Sequence, residues 1–234
     1  ETLDGGGGGR WGGRHWLCGA RWLGRTFEEE GRRSNQASVM NDLILFLGFL
    51  AFFHVSEFCL VLIYNRKELS LDSWLISKPY CLAMSFALLE YNLEKAFIQD
   101  SKGAGFIRAA GIAITSVGEL VRKAAIISAK SSFTLSIKAQ RQPEHHLIKS
   151  GIYRHCRHPG YLGWMIWSVG TQVLLQNPIC FLIFAYWSWM FFKERIPYEE
   201  ELLLEMFGSE YRDYAEKTRI WLPFIASPIQ YKRT

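Results

Sequence analysis

Apolar positions in this chain gather into long blocks with the charges between them, a pattern that predicts membrane-spanning helices. The first block, LILFLGFLAFFHVSEFCLVLIY, covers 43–64, where about 20 apolar residues suffice to cross a bilayer. A second runs over 74–98, with Pro79 near its start and Glu90, Glu94 and Lys95 near its end. A third, 105–121, holds Arg108 together with Gly111 and Gly118, small residues suited to close helix packing. From Pro159 to Phe192 no charge occurs at all. One helix of that length would reach about 51 Å, against an apolar core of roughly 30 Å. Asn177-Pro178 lies near its middle, and a proline there disfavours helix just before it. The pattern therefore predicts a helical hairpin of spans 159–176 and 178–192, with His158 and Lys193 emerging on the same side. Beyond it, Leu202, Leu203, Met206, Phe207, Tyr211 and Tyr214 recur at helical spacing among acids, predicting an amphipathic helix over 195–217 that Gly208 interrupts. The expected fold is an all-α integral membrane protein of about five transmembrane helices.

Charge orients this arrangement. Residues 121–158 carry eight Lys/Arg against the single acid Glu144, so the positive-inside tendency puts 122–158 in the cytosol, with the 195–234 helix and tail on the same side. The excess of 27 basic over 22 acidic residues flanks apolar blocks, which points to anionic lipid headgroups and away from nucleic acid. With 49% hydrophobic and 15% aromatic residues, the chain is neither disordered nor fibrous. Five cysteines without a CxxC, three of them in apolar blocks, argue against a disulfide framework. Residues 1–39 differ from the rest: they hold ten of the 20 glycines, six arginines and no periodic apolar stretch. They read as an upstream extension before a membrane domain over 40–234, the alternative being a flexible cytosolic leader.

Chemistry concentrates just before and just after the hairpin. Residues 144–163 read EHHLIKSGIYRHCRHPGYLG, and past the hairpin comes RIPYEEE at 195–201. A hairpin returning to one surface brings these two clusters together, and the i, i+4 spacing of Arg195 and Glu199 puts them on one helix face. Taken singly, each feature has an ordinary reading. His155 and His158 have a metal-ligand spacing, although no Cys or carboxylate completes a set, so no metal is assigned. Arg154 and Arg157 read as headgroup anchors, and Arg195 with Glu199 as a helix-surface pair. Trp164, Trp167, Trp187 and Trp189 read as an interfacial belt. His54, Glu57, Glu90 and Glu94 are costly in lipid and must face protein or a cavity, with no role legible.

Together, Gly-Ile-Tyr-x-x-x-Arg-His-Pro-x-Tyr-x-Gly, the hairpin broken at Asn-Pro, Arg-Ile-x-x-Glu-Glu and Leu-Pro-Phe-Ile at 222–225 resemble the isoprenylcysteine carboxyl methyltransferases. The likeness covers most of 42–225. It is nearest to the shorter five-span members, which also carry Phe53-His54-x-Ser56-Glu57, and 1–39 has no counterpart in them. The resemblance implies S-adenosylmethionine (SAM) as cofactor, bound by the segment before the hairpin and the helix after it. His145, His146, Leu147 and Ile148 would line it, Tyr153 would pack on it, and His158, Pro159, Gly160 and Tyr161 would form the second half of the pocket. Glu199 would bind the cofactor from the opposite side, and Arg195 would be the catalytic residue that binds the substrate carboxylate. Many members carry Ser where this chain has Gly160, and a cofactor-contacting Gln of some members falls at Lys138. The implied substrate is the farnesylated or geranylgeranylated C-terminal cysteine of small-GTPase-type and other CaaX proteins, and the implied site the endoplasmic reticulum membrane, facing the cytosol.

The residue types suit that reaction. A free α-carboxyl with a pKa of about 3.5 is already ionised at neutral pH, so no general base is required. It needs alignment, which a planar, permanently charged guanidinium supplies. Rival readings are a phospholipid N-methyltransferase, whose amine acceptor would not be drawn to Arg195, an NADPH-dependent membrane reductase, and a non-catalytic multispan scaffold. No Gly-x-Gly-x-x-Gly follows a strand, which excludes a soluble Rossmann methyltransferase.

Overall fold

The computed structural model describes residues 42–97, 105–137, 146–225 and 227. The 1–39 extension, Lys138 and His145 lie outside the described residues. Six α-helices occur among the described residues: α1 (Asp42–Tyr64), α2 (Lys78–Phe97), α3 (Gly105–Ala129), α4 (Pro159–Leu175), α5 (Pro178–Phe207) and α6 (Ser209–Lys217). One helix among the described residues, α1, is long and apolar enough to cross a membrane by length and composition alone.

Three boundaries differ from the apolar blocks, each for a local reason. α2 begins at Lys78 because Leu71–Trp74 forms a tight turn and Leu75 adopts a left-handed backbone, φ 57°, that no helix continues. Pro79 then sits in the first helical turn, where its missing N–H costs nothing. α3 runs past Val121 to Ala129, so the first turns of the basic 122–158 segment are helix. Charge does not end α3 there because Arg122 and Lys123 are neutralised by Glu57 of α1, at 2.8 and 2.6 Å. The amphipathic stretch from Arg195 is no separate helix. It is the end of α5, which continues through Pro197, followed after Gly208 by α6.

The bundle is organised by backbone contact between α3 and α4. A Cβ on Gly111 would meet Leu174 N at 2.3 Å, and one on Gly118 would meet Trp167 N at 2.3 Å. From the other side, Gly163 would meet Arg122 N at 2.5 Å and Gly170 would meet Thr115 N at 2.7 Å. Each helix thus offers two glycines two turns apart on one face, and the antiparallel helices interlock through them. The hairpin turns at Gln176, φ 55°, and Asn177. Asn177 Nδ2 donates to Ala87 O of α2 at 2.8 Å. Glu90 of α2 caps the start of α5, accepting from Ile179 N at 2.7 Å and Cys180 N at 2.6 Å. A carboxylate at a helix N-terminus satisfies orphan N–H groups and the helix dipole together. His54 joins α1 to the next segment through Trp74 O and Tyr80 Oη, both at 2.7 Å.

Polar and charged groups are buried inside this bundle beside apolar ones such as Phe46, Phe53 and Leu174, while large apolar side chains also cover its outside. Glu57, Thr115, Thr171 and Gln172 are fully buried, while Ile44, Phe52, Ile63, Phe86, Phe106, Leu120, Leu182 and Trp187 are exposed. An apolar outer surface around buried charge fits an apolar solvent around the helices. Trp167 does not belong to an interfacial belt: it is fully buried and stacks on Phe53, with centroids 4.1 Å apart.

Because the added methyl groups would fall inside backbone, Gly118→Ala and Gly163→Ala should each destabilise by about 1–3 kcal/mol, the usual cost of overpacking. Gly48→Ala, with nothing within 4 Å of its Cβ, is the matched control and should not lower the thermal midpoint of the detergent-solubilised protein. Equal midpoints for all three variants would show that the α3–α4 contact yields easily.

Candidate active site

The segment preceding α4 is folded by specific local constraints. Gly151 has φ +60°, and a Cβ there would meet Ser128 Oγ at 2.7 Å, so glycine lets 151–154 turn tightly against the end of α3. Ser132 Oγ accepts from His146 N at 3.2 Å, and Tyr153 O accepts from the Tyr214 hydroxyl at 2.6 Å. Further along, Arg157 N donates to Arg219 O at 3.0 Å and Cys156 Sγ donates to Ile220 O at 3.2 Å. Residues beyond α6 are thereby zipped to the approach to α4.

Glu200 holds this junction from α5. It is fully buried and accepts from Arg157 Nε at 2.7 Å, His158 Nε2 at 3.2 Å and Ser227 Oγ at 2.5 Å. Arg157 Nη1 donates to Ala215 O at 2.6 Å and also to Thr218 O. Arg157 is accordingly an internal tie, not a headgroup anchor. Burial pushes the Glu200 pKa up, but the hydrogen bond and charge of His158, with Arg157 and Ser227, outweigh it and bring it to about 2. Burial also pushes the Cys156 thiol up to about 11, which keeps it a neutral donor. The phenols of Tyr153, Tyr211 and Tyr214 are raised by burial as well and stay protonated.

Above this junction lies a cleft with a volume of about 140 Å³, walled by the end of α3, the 146–158 segment, the start of α4, the end of α5 and α6. It gathers most of the candidate residues: His146, Leu147, Ile148, Tyr153, His158, Gly160, Tyr161 and Glu199 all line it. Pro159 is buried as the first residue of α4 but is not part of the lining, and His145 lies outside the described residues. Its other walls include Phe133, Arg157, Leu203, Phe207, Tyr211 and Tyr214. The apolar periodicity of 202–214 is therefore partly a cleft wall, a fact that spacing cannot reveal. His155 and His158 do not converge, because His155 is exposed while His158 is held on Glu200. A Cβ on Gly160 would meet the Phe133 ring at 3.2 Å, so a serine here would press on that wall.

Arg195 stands behind Tyr161. Its Nε donates to the Tyr161 hydroxyl at 2.8 Å and its Nη2 to Leu135 O at 3.0 Å, while the guanidinium lies over the rings of Tyr161 and Phe191 at 5.6 and 5.5 Å. The same Tyr161 hydroxyl donates to Glu199 Oε2 at 2.6 Å. Arg195 and Glu199 thus meet on one phenol and do not pair directly. Among the described residues no carboxylate lies within ion-pair distance of Arg195, in contrast to Arg122 and Arg157. Sequence reasoning missed Arg122, whose Nη1 donates to Gly160 O at 3.1 Å while its other nitrogens hold Glu57. Arg122 and Lys123 read there only as loop charge. A helical reading through residue 129 would have put them across from Glu57.

Glu200 yields a prediction with a definite sign. Its folded pKa lies below the unfolded value near 4.3, so its contribution is complete above about pH 4.3 and is lost as pH falls toward about 2. Glu200→Gln should destabilise at pH 5–7 by about 3–5 kcal/mol, the cost of leaving Arg157 without its partner. Thermal unfolding in detergent should show the gap narrowing below about pH 4. A gap independent of pH would contradict the assignment.

Residues 111–205 match the profile of the isoprenylcysteine carboxyl methyltransferase family. A probable protein-S-isoprenylcysteine O-methyltransferase of Oryza sativa subsp. indica is 44% identical over 182 residues, 77% of this chain and 95% of that protein. Protein-S-isoprenylcysteine O-methyltransferase B of Arabidopsis thaliana is 45% identical over 182 residues, 77% of this chain and 92% of that one. A solved eukaryotic intramembrane Ras methyltransferase, itself an isoprenylcysteine carboxyl methyltransferase, superposes with a TM-score of 0.78 at 35% identity, covering 81% of this chain and 69% of its own.

Proposed function

The chain belongs to the isoprenylcysteine carboxyl methyltransferase family, and from that premise we propose how its cleft esterifies a prenylcysteine carboxylate. It is a membrane methyltransferase whose substrates are prenylated proteins. The observation that carries the site assignment is the state of Arg195. Its hydrogen bonds go to a phenol and a backbone carbonyl, both neutral, so its charge remains available to a substrate carboxylate. A planar guanidinium over two aromatic rings has few orientations open to it, which suits the alignment of an acceptor already ionised at neutral pH.

The cleft fits SAM by its donor set. The Tyr211 hydroxyl is buried without a hydrogen-bond partner among the described residues and lies in the cleft wall, where it answers a polar ligand. Aromatic faces of Phe133, Tyr153 and Tyr161 suit a planar base and a cationic sulfonium, and Glu199 suits an ammonium. Glu199 on one side, with His146, Leu147, Ile148, Tyr153, His158 and Gly160 on the other, would hold the cofactor. Bound there, SAM would supply an electrophilic methyl for a carboxylate oxygen, the C–S electron pair staying with sulfur and no proton moving. The protein's part is to hold the acceptor on Arg195 and, through Tyr161, to couple that position to Glu199. Tyr161 also stacks on His158 and Phe192, at 5.6 and 4.9 Å, which keeps both residues in register.

Five spans, formed by α1 to α4 and the 178–192 part of α5, are supported by the large apolar side chains exposed on the outside of the bundle and by the uncharged stretch that folds into the hairpin. Since α1 and α3 meet near their C-terminal ends through Glu57 and Arg122, which also reaches Gly160, the cleft lies at the bundle end carrying the basic 121–158 segment. Positive-inside bias makes that the cytosolic face, and the endoplasmic reticulum is the membrane we assign.

Arg195→Ala should lower kcat/KM for N-acetyl-S-farnesylcysteine by at least about 30-fold, since losing one partner of a desolvated charge pair costs about 2–5 kcal/mol. Its affinity for SAM should stay near wild type, whereas Glu199→Ala should chiefly weaken SAM binding. Retained carboxyl methylation by Arg195→Ala would remove the clamp from the mechanism, and methylation of phosphatidylethanolamine instead of the carboxylate would favour the amine-acceptor reading.

A further inference from the structure

A second cavity, of about 270 Å³, opens on the other side of Phe133 from the cleft, between the end of α1, the turn 70–75 and the segment 133–136. It is tied to the acceptor clamp by one stretch of backbone. Leu135 lines it and offers the carbonyl that receives Arg195 Nη2 at 3.0 Å, while Phe133 is a wall of both cavities. Asn65 fixes the same stretch to α1 by donating from Nδ2 to Phe133 O at 3.2 Å. The far rim is also fixed: Ser73 is fully buried, its Oγ accepts from Ser70 N at 3.1 Å, and Leu75 N donates to Asp72 O at 2.9 Å. Asp72, Ser70 and Ser136 are exposed at the mouth, so the cavity opens toward water.

Resting on the proposed carboxylate site, we propose that this cavity receives the polypeptide immediately upstream of the prenylated cysteine, and that Asp72 favours a cationic side chain there. Three groups leave the α-carbon and side chain of the acceptor residue: the carboxylate, the prenyl thioether and the amide to the preceding residue. With the carboxylate on Arg195, the cavity reached along 133–136 is the adjoining space. Its lining is mixed, with Asn65, Ser70, Asp72, Ser73 and Ser136 beside Val61, Leu75, Phe133 and Leu135. Such a lining matches peptide N–H and C=O groups, while a prenyl chain gains more from the apolar outer surface of the bundle. The Asn65 bond uses only its amide nitrogen, which leaves the carbonyl oxygen of this lining residue as an acceptor for a peptide N–H. Asp72 is the acid in the lining and lies at the solvent-facing mouth.

The test compares three acceptors in phosphatidylcholine nanodiscs, whose neutral surface does not itself concentrate basic peptides. They are N-acetyl-S-farnesylcysteine and farnesylated Lys-Lys-Ser-Cys and Glu-Glu-Ser-Cys peptides with free carboxylates. The full-length wild-type chain should prefer the lysine peptide to the glutamate peptide in kcat/KM by roughly three- to fivefold, the scale of an exposed ion pair. Asp72→Asn should abolish the preference and Asp72→Lys should invert it, with the rate on N-acetyl-S-farnesylcysteine unchanged in both. An unchanged peptide ratio in Asp72→Asn, or a parallel loss on all three acceptors, would overturn the subsite while leaving the carboxylate reaction intact. No methylation of N-acetyl-S-farnesylcysteine by the wild type would overturn the reaction itself and the subsite with it.

Discussion

The closeness of α3 to α4 is the constraint on which the remaining geometry depends. Two glycines on each helix allow backbone to lie against backbone, and no larger residue occupies those positions without moving a helix. This approach brings Arg122 to within 3.1 Å of the Gly160 carbonyl at the start of α4, and from there to Glu57 of α1. The first turn of α4 carries Gly160 and Tyr161 in the cleft, and Tyr161 receives Arg195 from the returning helix. The helix contact in the middle of the bundle therefore fixes the position of a phenol at its end, and the phenol fixes Arg195, the proposed clamp.

Three arginines in this end of the protein differ in what they hold, and the difference assigns their work. Arg122 and Arg157 are buried against carboxylates and backbone carbonyls, so their charge is consumed internally. Such pairs are weak contributors to net stability, because desolvation offsets most of the Coulomb attraction. They are strong specifiers of geometry, since every alternative packing leaves a charge buried alone. Arg195 is held by neutral groups, so its charge is not consumed internally. Oriented yet uncompensated charge is what a carboxylate site requires.

Much of this was legible in the sequence where one strong local effect dominates. The uncharged run broken at Asn177-Pro178 specifies the hairpin, because helix length and proline chemistry leave few alternatives. Gly111 and Gly118 mark a packing face for the same reason that small residues do elsewhere. Most candidate residues, His146, Leu147, Ile148, Tyr153, His158, Gly160, Tyr161 and Glu199, converge on one cleft because the hairpin returns the chain to its starting surface. What sequence could not reveal depends on distant partners. Glu90 caps a helix that begins some ninety positions later, and Glu57 neutralises charges that would otherwise end α3. Arg157 and Arg195 look alike in the chain, and only their three-dimensional neighbours separate an internal tie from the proposed carboxylate clamp.

The central claim is that Arg195 reads the acceptor's carboxylate. Its most direct test is equilibrium binding of S-farnesylcysteine and of its carboxamide, which differ in that one charge, to the wild-type protein and to Arg195→Gln. The account expects the wild type to prefer the acid by at least about tenfold, in line with a charge-assisted bidentate pair, and the variant to bind both equally. Equal affinities in the wild type, or a preference for the acid that survives in Arg195→Gln, would contradict it.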